Sequence, residues 1–231
     1  MALALRNLAG PSIRVLKGRI SGEVILPGEE AYDTARRVWN GMIDRYPALI
    51  IRCANPNDVA AAVDFARESG GPVAVRGGGH NVAGHGTCDD GIVIDLSSMK
   101  EVHVDPVARV VHAQAGVQWG ELDRATQEYG LATPGGEVSD TGIAGLTLGG
   151  GMGYLRCKYG LSCDNLLGVD IVTADGRLLR VDEHHNSDLF WAVRGGGGNF
   201  SIVTYFDFRR FCCKNLTSLA KGLCESWVRG C

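Results

Sequence analysis

The residues with the most chemical promise stand together in Arg76-Gly77-Gly78-Gly79-His80-Asn81, directly after the apolar run Pro72-Val73-Ala74-Val75. Consecutive glycines leave backbone N–H groups without side-chain cover, and access to positive φ lets such groups turn onto one point. A nest of that kind holds a pyrophosphate without lysines. His80 follows at once, the one side chain here that is both nucleophilic and mostly neutral at pH 7. A phosphate cradle ending in a nucleophile suits a tethered cofactor. The competing reading is a plain glycine-rich turn with a surface histidine.

Glycine is abundant throughout, with 33 among 231 residues, against an average of roughly 7%. The glycines cluster at 77–86, 135–153 and 195–198. Such runs are entropically costly, so each cluster marks a place where backbone comes close to something. Other chemistries lose support. The dinucleotide pattern G-x-G-x-x-G fails because Val82 stands where its last glycine belongs, and Gly-Lys, needed for a Walker A loop, never occurs. H-E-x-x-H and G-x-S-x-G are missing as well.

The net charge of −3 gives no electrostatic case for nucleic acid or an acidic membrane surface. No apolar run reaches transmembrane length, and the start Met1–Gly10 is too short and interrupted for a secretory signal. A cytoplasmic location is the expectation, and it fits unpaired cysteines. Cys53, Cys88, Cys157 and Cys163 are scattered, whereas Cys212, Cys213, Cys224 and Cys231 crowd the end. Without a C-x-x-C pair, zinc-ribbon and thioredoxin-like readings fail, and no metal site is expected. The segment 212–231 lacks a helical or strand period and reads as foreign to the domain, with a cysteine metal site as its sharper alternative.

The elements that must position the loop are partly legible. Residues 1–42 form a weakly patterned extension with a helix expected over Tyr32–Met42. Pro47–Cys53 predicts a buried strand, and Asn55-Pro56 an N-cap with proline at the first helical position. Val59, Ala62, Val63 and Ala66 make one apolar helix face, ended by Gly70-Gly71. Pro72–Val75 is the next strand, so the glycine loop sits at the carboxyl end of a βαβ unit, where ligands gather in parallel sheets. Strands follow at Ile92–Leu96 and Arg109–Ala113, then a helix over Gln118–Tyr129 stopped by Gly130. Val169–Thr173 and Arg177–Val181 flank the hairpin signal Asp175-Gly176. Ser187 is the expected cap of a helix Asp188–Arg194 that leads into the strand Phe200–Phe208. A βαβ unit followed by mostly antiparallel pieces predicts an α+β fold.

Taken in order, the three clusters resemble the FAD-binding (PCMH-type) domain of the vanillyl-alcohol oxidase/p-cresol methylhydroxylase superfamily, and most of all the berberine-bridge-enzyme-like FAD-linked oxidases. The resemblance rests on Arg76–Asn81, on Thr133-Pro134-Gly135-Gly136, and on Gly142-Ile-Ala-Gly-Leu-Thr-Leu-Gly-Gly-Gly151. It continues through Lys158-Tyr159-Gly160-Leu161 and Asp188-Leu-Phe-Trp-Ala-Val-Arg194 with Gly195–Phe200. It implies two α+β subdomains over residues 43–211, with the tail outside them, and FAD as the cofactor.

By that resemblance Arg76, Gly77, Gly78, Gly79, His80, Asn81 and Gly84 wrap the pyrophosphate, and His80 bonds covalently to the flavin. Pro134, Gly135, Gly136, Thr141, Gly142, Gly145, Gly149, Gly150 and Gly153 would line flavin and diphosphate. Tyr159, Gly198 and Val203 complete the set, the last two on the adenosine side. Some relatives add a second bond from a cysteine; Val138 stands there, so a single link is expected, with Cys157 as the alternative. The family's substrate domain has no match, so truncation is expected and no catalytic base can be named. The implied activity is oxidation of a small organic molecule with electrons passed to O2; the alternative is an FAD-binding module without activity. UDP-N-acetylenolpyruvylglucosamine reductases share the fold, but their flavin is not covalently held. A bare face where the substrate domain belongs would favour self-association.

Overall fold

The computed structural model describes residues 10–212 and, for residues 10–12, the backbone alone. The first sheet has the order β1-β2-β4-β3, built from β1 (Glu23–Ile25), β2 (Leu49–Arg52), β4 (Ile92–Asp95) and β3 (Val73–Arg76). Strand β4 runs parallel to both β2 and β3, while β1 is antiparallel to β2. The crossover helix α3 (Pro56–Ser69) thus joins two strands that are not neighbours, and β4 is inserted between them. All four residues of β4 are buried, as its unbroken apolar run Ile-Val-Ile requires of a central parallel strand.

The N-terminus of α3 is set as its sequence predicts. Asn55 is the cap, its side chain accepting the Asp58 N–H, and Pro56 opens the helix. Asp58 is buried, and its carboxylate accepts the N–H groups of Ser21, Gly22 and Ala54. That ties the turn between α1 (Gly10–Arg19) and β1 to the helix.

The second sheet is antiparallel throughout, in the order β5-β6-β10-β8-β9. Its strands are β5 (Val102–Asp105), β6 (Val110–Gln114), β8 (Leu166–Val172), β9 (Leu178–Asp182) and β10 (Ile202–Arg209). One apolar core joins both sheets: Leu49, Ile51, Ile92 and Ile94 from the first meet α3 and then Val111, Val169, Ile171, Phe206 and Phe208 from the second. A smaller cluster of Ile25, Tyr32, Ala35, Ile50, Ala74 and Val93 covers the first sheet's other face. A parallel sheet carrying its crossover helix and a purely antiparallel sheet make this an α+β fold.

Several boundaries depart from expectation. The helix expected over Tyr32–Met42 is only the short α2, Tyr32–Ala35. Beyond it, Arg36 is held by Asp33 and Asp44, and the chain turns toward the glycine loop. Helix α4 is Trp119–Gln127, shorter than Gln118–Tyr129, because Gln118 is its cap and forms a reciprocal capping box with Glu121. Tyr129, expected on its apolar face, is exposed. The cap of α7 (Ser187–Val193) is Asn186 in the left-handed region, with Ser187 already inside the helix. Phe211–Cys212 forms β11 and pairs with β7 (Leu131–Ala132). Residues 213–231 of the cysteine-rich segment lie outside the described residues. Among the described residues no helix is long and apolar enough to cross a membrane.

Candidate functional site

The loop 77–81 leaves β3 at Arg76, whose buried guanidinium is committed to the protein. It donates to the Asp95 carboxylate at 2.7 Å and to the Arg37 carbonyl at 3.1 Å. Burial pushes the Asp95 carboxyl up, but Arg76 and the Ser97 N–H outweigh burial and hold it below its ordinary value. Arg76 therefore fixes the ends of β3 and β4 at the loop's root.

Past that root the backbone is left open. The N–H groups of Gly77, Gly78, Gly79 and His80 donate to nothing among the described residues. Gly79 has φ +67°, where glycine is at ease. The carbonyl of Gly79 accepts from the Trp39 N–H at 3.1 Å, and Trp39 stacks on His80 with ring centroids 4.1 Å apart and planes 26° from parallel. Asn40 donates to the Val82 carbonyl, and Arg45 to those of Gly84 and Thr87. The segment 37–45 is thus a strap across the loop. A cavity of about 360 Å³ opens here, lined by Trp39, Gly77, Gly78, Gly79, His80 and Asp140 among others.

The second cluster reaches the same place. A Cβ on Gly78 would lie 2.5 Å from the backbone of Gly142, and one on Gly142 would lie 2.5 Å from the Gly78 nitrogen. The two loops pack backbone to backbone, which requires glycine on both sides. Residues around Asp140 are pinned to α4: the Ser139 carbonyl accepts from Gly120, and that of Thr141 from Trp119. Gly142 then caps the short helix α5 (Ile143–Leu148), which lies against the turn 197–199 of the third cluster. The three clusters of the sequence are neighbours.

Their glycines divide into two kinds. Gly135 and Gly136 lie against the Trp119 ring, Gly153 against the Gly135 carbonyl, and Gly84 against Ile43; there the close approach is the protein's own. Gly145 and Gly198 have no protein atom within 4 Å of a Cβ position, and at Gly149 and Gly150 the nearest lie at 3.4 and 3.7 Å. Thr141 and Pro134 belong to the loops just described, the Pro134 carbonyl accepting from Ser162. Tyr159, in α6 (Arg156–Tyr159), stacks on Phe211, and Val203 is a core residue of β10. Asn81 shapes the loop by accepting the His85 N–H. Val138 and Cys157 are exposed, and Cys163 is buried. Trp39 and Asp140 were not legible as site residues in the sequence, since no pattern links residues so far apart.

Bare N–H donors along the loop and open space at Gly145 and Gly198 fit a bound diphosphate-containing cofactor. The comparisons agree. The sequence profile of a family described as "FAD binding domain" matches residues 47–182. The chain is 42% identical over 185 residues to (R)-6-hydroxynicotine oxidase of Paenarthrobacter nicotinovorans, covering 80% of this chain and 40% of that protein. Its structure is similar to that of 6-hydroxy-D-nicotine oxidase from Arthrobacter nicotinovorans, with TM-score 0.84, 39% identity, and coverage of 89% of this chain and 44% of that one. It is also similar to glucooligosaccharide oxidase from Acremonium strictum, described as carrying 6-S-cysteinyl, 8α-N1-histidyl FAD, with TM-score 0.82, 32% identity, and coverage of 87% and 42%. The chain spans less than half the length of these relatives. By its matched profile and the cradle its glycines build, the chain belongs to the FAD binding domain family.

Proposed function

We propose that this chain is the FAD-holding part of an oxidase-type oxidoreductase, with His80 as the single covalent tether of the flavin and O2 as electron acceptor. The observation that carries the reading is the open backbone of Gly77–His80 ending in an imidazole at a cavity wall. Bound FAD supplies acceptance of two electrons from a C–H bond beside oxygen or nitrogen in a small organic substrate. The residues of this chain would bind and orient it: the open N–H groups of the loop would hold the diphosphate, Trp39 and the strap 37–45 cover the loop, and Arg76–Asp95 hold its base rigid. By the family resemblance Val138 stands where some relatives carry a second, cysteinyl attachment, which supports one tether. Substrate proton transfer is not assigned to a residue of this chain, because the relatives extend well beyond the matched part.

The test uses the full chain. With FAD at 100 Kd the protein should gain about 2.7 kcal/mol of stability, and FMN should give clearly less. Flavin colour should stay with acid-denatured wild type and leave His80→Ala, which keeps reversible FAD binding. Equal stabilisation by FMN, or a flavin-bearing peptide mapped to Cys157, would overturn the reading.

A further inference from the structure

We propose that Asp140 and Trp39 are positioning residues for His80. Asp140 accepts the Nε2 proton of the neutral imidazole, Trp39 fixes the ring plane, and Nδ1 is left as the free lone pair. The proposal rests on the reading of His80 as the tether and names what prepares it.

Nε2 of His80 is buried with no hydrogen-bond partner in place, and the one carboxylate within ion-pair distance among the described residues is Asp140, with Oδ1 at 3.4 Å. A lone pair on Nε2 would face that carboxylate acceptor to acceptor, so the proton belongs on Nε2. The Asp140 side chain is 56% exposed, free to swing into line with the ring N–H. Its backbone is fixed, because both neighbouring carbonyls are bonded to the first turn of α4. The imidazole cannot turn away, since Trp39 stacks on it and is itself bonded to the Gly79 carbonyl. Among the described residues Nδ1 has no hydrogen bond. A nitrogen nucleophile must present an unprotonated lone pair, and the second ring nitrogen's partner decides which one does.

The experiment labels histidine with 15N in the full chain and assigns His80 by its loss in His80→Gln. At about pH 8.5, above the ordinary imidazole range, wild type should show an Nε2-protonated, Nδ1-bare ring. Asp140→Ala should convert it to a mixture of tautomers, while Asp140→Asn, whose amide oxygen still accepts, should restore it. Trp39→Ala should broaden the signals and Trp39→Phe sharpen them again. An Nδ1-protonated ring in wild type, or unchanged signals in Asp140→Ala, would overturn the proposal. Covalent flavin after incubation with FAD should fall by about tenfold in Asp140→Ala, the lower end of what outer-shell partners contribute, and recover in Asp140→Asn. If wild type attaches no flavin while its tautomer still depends on Asp140, the tether reading fails and this inference stands. If the tautomer ignores Asp140, this inference fails whatever the flavin does.

Discussion

Two arginines are almost wholly buried, and the protein treats them oppositely. Arg76 is 6% exposed and donates to a carboxylate and a carbonyl. Arg210 is 2% exposed, yet its Nε, Nη1 and Nη2 have no hydrogen-bond partner among the described residues, only the Phe208 ring 5.8 Å from the guanidinium carbon. Burial pushes the Arg210 guanidinium down to about 9, against the opposing pull of the Asp123 carboxylate. Asp123 sits one turn along α4 from Trp119, and Trp119 packs on Phe208. The acid therefore lies toward Arg210 without forming an ion pair among the described residues. The difference teaches that burial does not make a charge useful. The same side chain is a keystone where its hydrogen bonds are met and a burden where they are not.

The largest effect should come from breaking the good pair. Arg76→Met leaves the buried Asp95 with only the longer Arg52 contact at 3.4 Å and the Ser97 N–H, and should cost about 3 kcal/mol in urea unfolding, together with FAD binding. Arg210→Leu should work in the other direction, stabilising the chain by about 2–3 kcal/mol, because an apolar side chain replaces an unpaired charge. Unchanged or lower stability in Arg210→Leu would mean that the guanidinium has a partner in solution.

The pH dependence sharpens the contrast. Between the folded value of about 9 and the higher ordinary value of a guanidinium, the unfolded chain binds the extra proton, so stability climbs with pH across that window. The advantage of Arg210→Leu over wild type should accordingly shrink above pH 9. Asp95 behaves conversely: its carboxyl is held below the ordinary value, so its contribution is lost as pH falls through the folded value. The acid limb of the unfolding curve should keep that loss in Arg210→Leu.

The smallest effects concern the glycines. Gly78→Ala should cost about 1–3 kcal/mol by overpacking against Gly142. Gly145→Ala, entering open space, should leave the apoprotein within about 0.5 kcal/mol and weaken only its FAD affinity. Equal apoprotein losses for both would erase the distinction between glycines used by the fold and glycines left for a ligand.

Much of this was written locally and could be read. Asn55-Pro56, Asp175-Gly176 and the βαβ order carry their structural instructions within a few residues, and the structure follows them. Arg76 through His80 announced a cradle by composition alone. What could not be read was non-local. The strap 37–45 gains its role from hydrogen bonds to a loop some forty residues on, and nothing in its own periodicity shows it. The insertion of β4 between β2 and β3 leaves no local trace, nor does the lack of hydrogen bonds to the Arg210 guanidinium among the described residues, which depends on what surrounds it. Many glycines were legible as close approaches, but the sequence does not say whether a ring, a carbonyl or a ligand is approaching.

The contact between Gly78 and Gly142 also has a consequence for the order of events during synthesis. Chains emerge from the ribosome N-terminus first and fold as units become complete. The strands of the first sheet are all available once residue 95 is out, but the wall behind the cradle arrives only with residue 142, and contacts of such long sequence separation form late. Until then the loop 77–81 has its strap and no backing. The cofactor thus meets a finished cradle only after the second part of the chain has been made, and its capture is a late step of folding.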